Sequence, residues 1–274
     1  MEDQAQLLAR IADALERLSP SESGNIDWLA SPAYVWTKSG ARPVAEIDAP
    51  VLDLLRGIEA QKAAVTANVD RLAKGHAAHD MLLWGARGTG KSTLIRSAVR
   101  AAQDDGGAIA LVQVGTDAVT SLPQLFAHLG PVARNFLIFI DDLGFSESDA
   151  TTPRHLRSWL DGGVEARPAN VRLAITSNRR AILPRHASEQ DDPINPRDAI
   201  DDTLALADRF GLSLGFHNAS QEDYLDVVRG YASEYNLDYE DIEALEWAKR
   251  RGARSGRVAW HFITELAGRA GKRL

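Results

Sequence analysis

Residues 85–92 read Gly-Ala-Arg-Gly-Thr-Gly-Lys-Ser and follow directly on the apolar run Met81-Leu82-Leu83-Trp84. A strand that stops in a glycine-rich turn and restarts as a helix aims backbone N–H groups and a helix N-terminus at one spot, where a triphosphate can sit. Gly85, Gly88 and Gly90 permit the tight wrap, Lys91 reaches the β and γ phosphates, and the Ser92 hydroxyl faces Mg²⁺. Ala86, Arg87, Thr89 and Thr93 complete the stretch expected to line the nucleotide.

A second acidic element lies downstream. Phe136-Leu-Ile-Phe-Ile140 is a continuous apolar run that ends in Asp141-Asp142. Parallel strands present ligands at their carboxyl ends, so two carboxylates there suit a hydrated Mg²⁺ and an attacking water. Asp141 is assigned to the metal and Asp142 to water activation. Glutamate is commoner in the second task and aspartate is one methylene shorter, which leaves Glu147 as a substitute.

The elements that must position these groups follow from periodicity. Helical patterns cover Ile58 to Leu72 and Lys91 to Gln103, and strands cover Ile109 to Val114, Phe136 to Ile140, Val171 to Thr176 and Leu212 to Phe216. Ser121 is read as the N-cap of a helix with Pro123 in its first turn and Gly130-Pro131 at its end. Leu183 to Pro196 reads as a loop, and Ile200 to Arg209 as a helix. Strands alternating with helices predict a parallel sheet. Beyond residue 217 strand signals stop. Ser220-Gln-Glu-Asp223 opens one helix, Tyr239 to Arg251 is a second and Ser255 starts a third.

The expected organisation is an N-terminal segment over 1–44, an α/β nucleotide-binding core over 45–216 and a small all-helical lid over 217–274. In the first part Leu7, Leu8, Ile11, Leu15 and Leu18 mark an amphipathic helix, and Ser19 to Gly24 a linker. Trp28, Tyr34 and Trp36 form an aromatic cluster, read as packing onto the main domain, with a partner surface as the alternative. His76 and His79 have no third ligand nearby and are not assigned to a metal.

Composition narrows the class. With 274 residues, 45% hydrophobic, the chain can bury a substantial core. A formal charge of −7 gives no general attraction to nucleic acid or anionic membrane. The absence of cysteine removes disulfides and thiolate chemistry. Met1-Glu-Asp-Gln is unlike a signal peptide and no stretch is long and apolar enough to span a bilayer, so a cytoplasmic protein is expected.

The order of motifs resembles the AAA+ ATPases: the P-loop, Phe136 to Asp142, a strand ending Ala174-Ile-Thr-Ser-Asn178, Asp208-Arg209-Phe210 and Ser255-Gly-Arg257. The tract 160–170, Thr176 to Arg180 and Ser255 to Ala259 further resemble a bacterial AAA+ group classed as a domain of unknown function (number 815). That resemblance covers about residues 45 to 270 and implies a five-stranded parallel sheet in the order 5-1-4-3-2, with a helical lid. It implies ATP as the nucleotide, and Ile58, by its position ahead of the P-loop strand, is expected to touch the base. It also implies Asn178 as sensor 1, Arg257 as a lid-borne sensor 2 and Arg209 as an arginine finger acting in trans within a homo-oligomer. Asn178 could instead be a strand-end turn residue. An internal Asp208–Arg209 pair, or Arg179, Arg180 and Arg185 as fingers, are the alternatives at Arg209.

The expected activity is Mg²⁺-dependent hydrolysis of ATP to ADP and phosphate, coupled through the lid to a macromolecular partner that the sequence does not name. Three alternatives stand beside it. One is a helicase-loader or transposition-helper ATPase using the basic cluster Lys249 to Arg254. Another is a nucleotide-gated module with little turnover, and the last a small-molecule kinase.

Overall fold

The computed structural model describes residues 26–143, 160, 167–178 and 209–274. The expected helix from Leu7 to Leu18, the linker after it, Glu147, Arg179, Arg180, Arg185, the loop 183–196 and the helix from Ile200 lie outside the described residues.

Seven strands form one mixed sheet, not the five expected. They are β1 (Ala33–Thr37), β2 (Gly40–Val44), β3 (Met81–Gly85), β4 (Ile109–Val114), β5 (Asn135–Ile140), β6 (Val171–Ser177) and β7 (Leu212–Phe216). Their spatial order is β2-β1-β4-β5-β6-β3-β7. The expected 5-1-4-3-2 arrangement is contained in it as β7-β3-β6-β5-β4, all parallel. The two additional strands extend the β4 edge: β1 runs parallel to β4, and β2 returns antiparallel to β1.

Physical reasons for this extension are local. Alternate residues of a strand share a face, so Tyr34 and Trp36 point together into one core while Ala33 joins the other. The Tyr34 hydroxyl donates to the Asp27 carbonyl at 2.6 Å, and the Trp36 indole N–H donates to Ser121 Oγ at 2.8 Å. Pro43 places β2 at the rim, where a missing N–H is harmless. The half-buried Arg134 guanidinium donates to the carbonyls of Trp28, Leu29, Ser31 and Ile109, fastening the approach to β1. The aromatic cluster is therefore packed into the sheet.

Strands β3, β4 and β5 are almost wholly apolar because both faces are covered, and β6 is apolar through its middle, Leu173 to Ile175. One face meets α3 (Leu122–Leu129) through Leu122, Leu125 and Leu129. The other meets α1 (Glu59–Ala73) and α2 (Lys91–Asp104) through Val65, Val69, Leu94, Ile95 and Ala98. Ser121 stands at the N-cap of α3, but its side chain does not cap the helix. Its hydroxyl donates to Ala118 O at 2.7 Å and accepts from Trp36 instead.

The C-terminal residues form α4 (Gln221–Glu234), α5 (Asp241–Arg251) and α6 (Gly256–Arg269). Ser220 and Asp223 make a reciprocal capping box at α4, and Ser255 caps α6. The helices enclose a core of their own around Tyr224, Val228, Phe262 and Ile263. Leu54 is buried in that helical core, whereas Leu55 beside it is buried under the sheet. No helix among the described residues is long and apolar enough to cross a membrane.

Candidate functional site

β3 ends at Gly85, hard against β7. A Cβ on Gly85 would lie 2.0 Å from the Phe216 carbonyl oxygen, and Gly85 has φ 127°. Only glycine fits there. Ala86 N donates to that same carbonyl at 3.0 Å, so the loop leaves the sheet in a fixed direction. Gly88 and Gly90 also have positive φ, at 76° and 93°. The chain thereby wraps around a point ahead of α2, and no side chain caps the first turn of that helix at Gly90. First-turn N–H groups are thus available to an anion, and the cradle fits a phosphate chain.

Lys91 opens α2 and is 5% exposed. Its ammonium donates to Gly85 O at 3.0 Å, Ala86 O at 2.7 Å and Asn178 Oδ1 at 3.2 Å. Burial holds its pKa below the usual lysine value, Asp142 and Asp141 oppose that shift, and Arg257 and Arg87 add to it. Residues from four separate parts of the sequence therefore act on one charge.

Behind Lys91 the carboxylates are tied by side chains. Ser92 Oγ donates to Asp141 Oδ1 at 2.5 Å, and Thr176 Oγ1 donates to the same oxygen at 2.6 Å. The Thr176 hydroxyl accepts from Asp142 N at 2.8 Å. Asn178 Nδ2 donates to Asp142 Oδ1, so its amide joins Asp142 to Lys91. Asp142 itself has φ 51°, a conformation that side chains rarely adopt. A hydroxyl and a carboxylate in contact are hard oxygen donors. They fit Mg²⁺, which takes few protein ligands and keeps several waters.

The helical unit reaches the loop from the other side. Arg257 N donates to Gly88 O at 3.2 Å, while a Cβ on Gly88 would stand 2.9 Å from Ser255 Oγ and 3.1 Å from Arg257 Cβ. Ile58, at the start of α1, approaches within 3.6 Å of where a Gly90 Cβ would be. Arg87 is exposed in the loop, the Thr89 hydroxyl donates to Ala86 O at 2.8 Å, and Thr93 is half-buried in the first turn of α2.

The structure thus brings together Ile58, the 85–93 loop, Asp141, Asp142, Asn178 and the Arg257 backbone. Arg209 stands apart from them. Leu212 pairs with Met81 and Phe216 with Gly85, so Arg209, just before β7, lies at the amino-terminal end of the sheet. The P-loop lies at the carboxyl end, the length of a strand away, or roughly 15 Å. Thr176 is the site residue that sequence reasoning missed. Its signal was a hydroxyl that follows directly on the apolar stretch Leu173 to Ile175, two positions before Asn178.

Three solved structures share this fold. Aeropyrum pernix ORC1 in complex with DNA has a TM-score of 0.56 at 15% identity, covering 80% of this chain and 65% of that one. A variant of Thermotoga maritima RuvB has a TM-score of 0.52 at 18% identity, covering 81% of this chain and 66% of that one. RuvB described as the Holliday junction branch migration motor gives 0.50 with the same identity and coverage. The chain spans a little under two thirds of the length of these proteins. No curated sequence is similar enough to this chain to count as a relative. A family model described as protein of unknown function (DUF815) matches residues 29–270, and the chain belongs to that family, built on the AAA+ fold that its motifs anticipated.

Proposed function

We propose that the chain is a Mg²⁺-dependent ATPase that releases ADP and phosphate and couples the cycle to movement of its helical unit. The observation that carries this reading is the Lys91, Ser92, Asp141, Thr176, Asp142, Asn178 cluster directly behind a three-glycine cradle. Gly85 to Thr93 would bind the phosphates through backbone N–H groups, and Ile58 would flank the base. Lys91 would neutralise the β and γ phosphates, while Ser92 and Asp141 would hold Mg²⁺. When bound, the ion offsets charge on the phosphate oxygens. Asp142 would orient water with Asn178 fixing its carboxylate, and Arg257 would carry the nucleotide state to α6 as the lid.

Arg209 would serve a neighbouring subunit. Its place at the far end of the sheet supports action in trans, since it cannot reach the P-loop of its own chain without crossing the length of β7. An arginine supplied this way is worth about 10³ to 10⁵ in rate. RuvB and ORC1 make DNA one partner class to test, although the net charge of −7 argues against general attraction to it.

The test is steady-state ATP hydrolysis against protein concentration, with Lys91→Ala as blank. The expected result is Mg²⁺-dependent phosphate release, at least ~10²-fold above Lys91→Ala, with specific activity rising as subunits assemble. Equal rates for the two proteins overturn the hydrolytic assignment. The short Asp142 side chain, held by Asn178, favours one second reading, a nucleotide-gated module. Mg²⁺-dependent nucleotide binding without single-turnover ADP formation distinguishes it.

A further inference from the structure

We propose that Thr176 is a positioning residue for the metal-dependent step, setting both carboxylates of the Asp141–Asp142 pair from a single hydroxyl. The inference rests on the Mg²⁺–ATP reading of the site.

Thr176 is 1% exposed and sits at the carboxyl end of β6, between the two phosphate-handling strands. It lies opposite Leu83 of β3 and one position beyond the Ile140–Ile175 pair that joins β5 to β6. That register puts its side chain beside the turn that follows β5. A threonine hydroxyl has one proton to give and lone pairs to accept with. Here the proton goes to Asp141 Oδ1 at 2.6 Å, and a lone pair receives the Asp142 N–H at 2.8 Å. Its carbonyl also accepts from Leu143 N at 2.9 Å. Three consecutive residues after β5 are thereby held by one residue of β6.

Each bond has a chemical consequence. Asp141 Oδ1 takes two hydroxyl donors, from Ser92 and Thr176, which fixes the rotation of the carboxylate. Oδ2 receives no hydrogen bond from the described residues and is the atom left for the metal or its waters. The bond to Asp142 N–H holds that residue at φ 51°, the backbone state from which its carboxylate meets Asn178. Valine has nearly the shape of threonine but can do neither. Serine keeps the hydroxyl and loses only a methyl group.

The experiment compares wild type, Thr176→Val and Thr176→Ser as full chains. It titrates Mg²⁺ in steady-state ATP hydrolysis and measures binding of a fluorescent ADP with and without Mg²⁺. Loss of an outer-shell partner typically costs about 10 to 100-fold in metal affinity or activity. Thr176→Val is expected to need roughly 10-fold more Mg²⁺ and to lose ~10 to 100-fold in kcat, with little change in KM at saturating Mg²⁺. Its Mg²⁺-free nucleotide binding should match wild type, and Thr176→Ser should behave as wild type throughout.

Thr176→Val indistinguishable from wild type at every Mg²⁺ concentration overturns the proposal. So does equal impairment of Thr176→Ser, which would assign the effect to the methyl group. Loss of Mg²⁺-free binding in Thr176→Val makes the residue structural and overturns it as well. A wild-type chain whose nucleotide binding ignores Mg²⁺ overturns the Mg²⁺–ATP reading itself, which is a different result from a valine variant that matches wild type.

Discussion

Gly85 and Gly88 lie in the same loop, both at positive φ, yet they meet their surroundings in different ways. Beside Gly85 stands the backbone carbonyl of Phe216, itself held in the β3–β7 ladder. Beside Gly88 stand the Ser255 hydroxyl and the Arg257 Cβ, side-chain atoms of the helical unit. A ladder of backbone bonds cannot shift one carbonyl without shifting the strand, whereas the Ser255 hydroxyl can change rotamer and the Arg257 Cβ moves with the start of α6 rather than with the sheet. The cradle is therefore rigid toward the sheet and adjustable toward the helices. The proposed cycle, in which fixed backbone N–H groups would bind and the helical unit would move, draws on this asymmetry.

Paired glycine substitutions would break the comparison most directly. Gly85→Ala adds a strained φ and an immovable clash, costing about 2 to 6 kcal/mol from backbone strain and overpacking together. Gly88→Ala adds the strained φ against neighbours that can yield, about 1 to 3 kcal/mol. Denaturant unfolding of both variants decides the matter. Equal losses would mean that the helical side is as rigid as the sheet side.

Alkaline stability sharpens the same contrast, because the two regions carry buried groups of opposite sign. Burial raises the Tyr224 hydroxyl, which donates to Ala244 O in the helical core, to about 12. Its folded pKa exceeds the unfolded value of 10.0, so its contribution is complete below pH 10 and is lost as pH rises toward 12. Burial lowers Lys91 below 10.5. From that lowered value up to 10.5 the unfolded chain holds the extra proton, so folding gains stability with pH. Tyr224→Phe should lessen the alkaline decline, which Tyr231 and Tyr239 share because burial raises them too, and Lys91→Met should remove the gain that Lys91 contributes. Unfolding free energies across this range test both signs, and a Tyr224→Phe slope equal to wild type would sink the first.

These particulars also show what the sequence could and could not reveal. Strands β3 to β7 were legible as apolar or alternating runs and the loop between β3 and α2 as a local string, whereas their order β7-β3-β6-β5-β4 came from the family resemblance and not from any pattern in the residues. β1 and β2 were not, because Tyr34 and Trp36 suit packing of any kind and Pro43 argues against a strand interior. Lys91, Ser92 and Asp141 were legible as types in a pattern. Thr176 was not, since its role comes from the register of β3, β5 and β6, which no local window contains. Arg257 and Arg209 were named through resemblance. The structure brings the Arg257 backbone to Gly88, and puts Arg209 at the other end of the sheet.

The smallest expected effect lies at the joint between the two regions. Arg56 reaches from the segment before α1 to Asp226 on α4, Nη1 to Oδ1 at 3.2 Å, and its guanidinium lies over Gly230, where a Cβ would stand 2.8 Å from Nε. The two side chains are 36% and 42% exposed, so water and salt screen the pair. An exposed ion pair of this kind is worth under ~1 kcal/mol. Leu54 and Leu55 meanwhile anchor the same segment to the helical core and to the sheet. Arg56→Ala should therefore lower stability by less than ~1 kcal/mol at low salt, and the difference from wild type should shrink further as ionic strength rises. A salt-insensitive loss above ~2 kcal/mol would place the strength of the joint in the packing of Arg56 on Gly230. In that case the helical unit would be seated as firmly as the sheet, and an adjustable cover would need a different hinge.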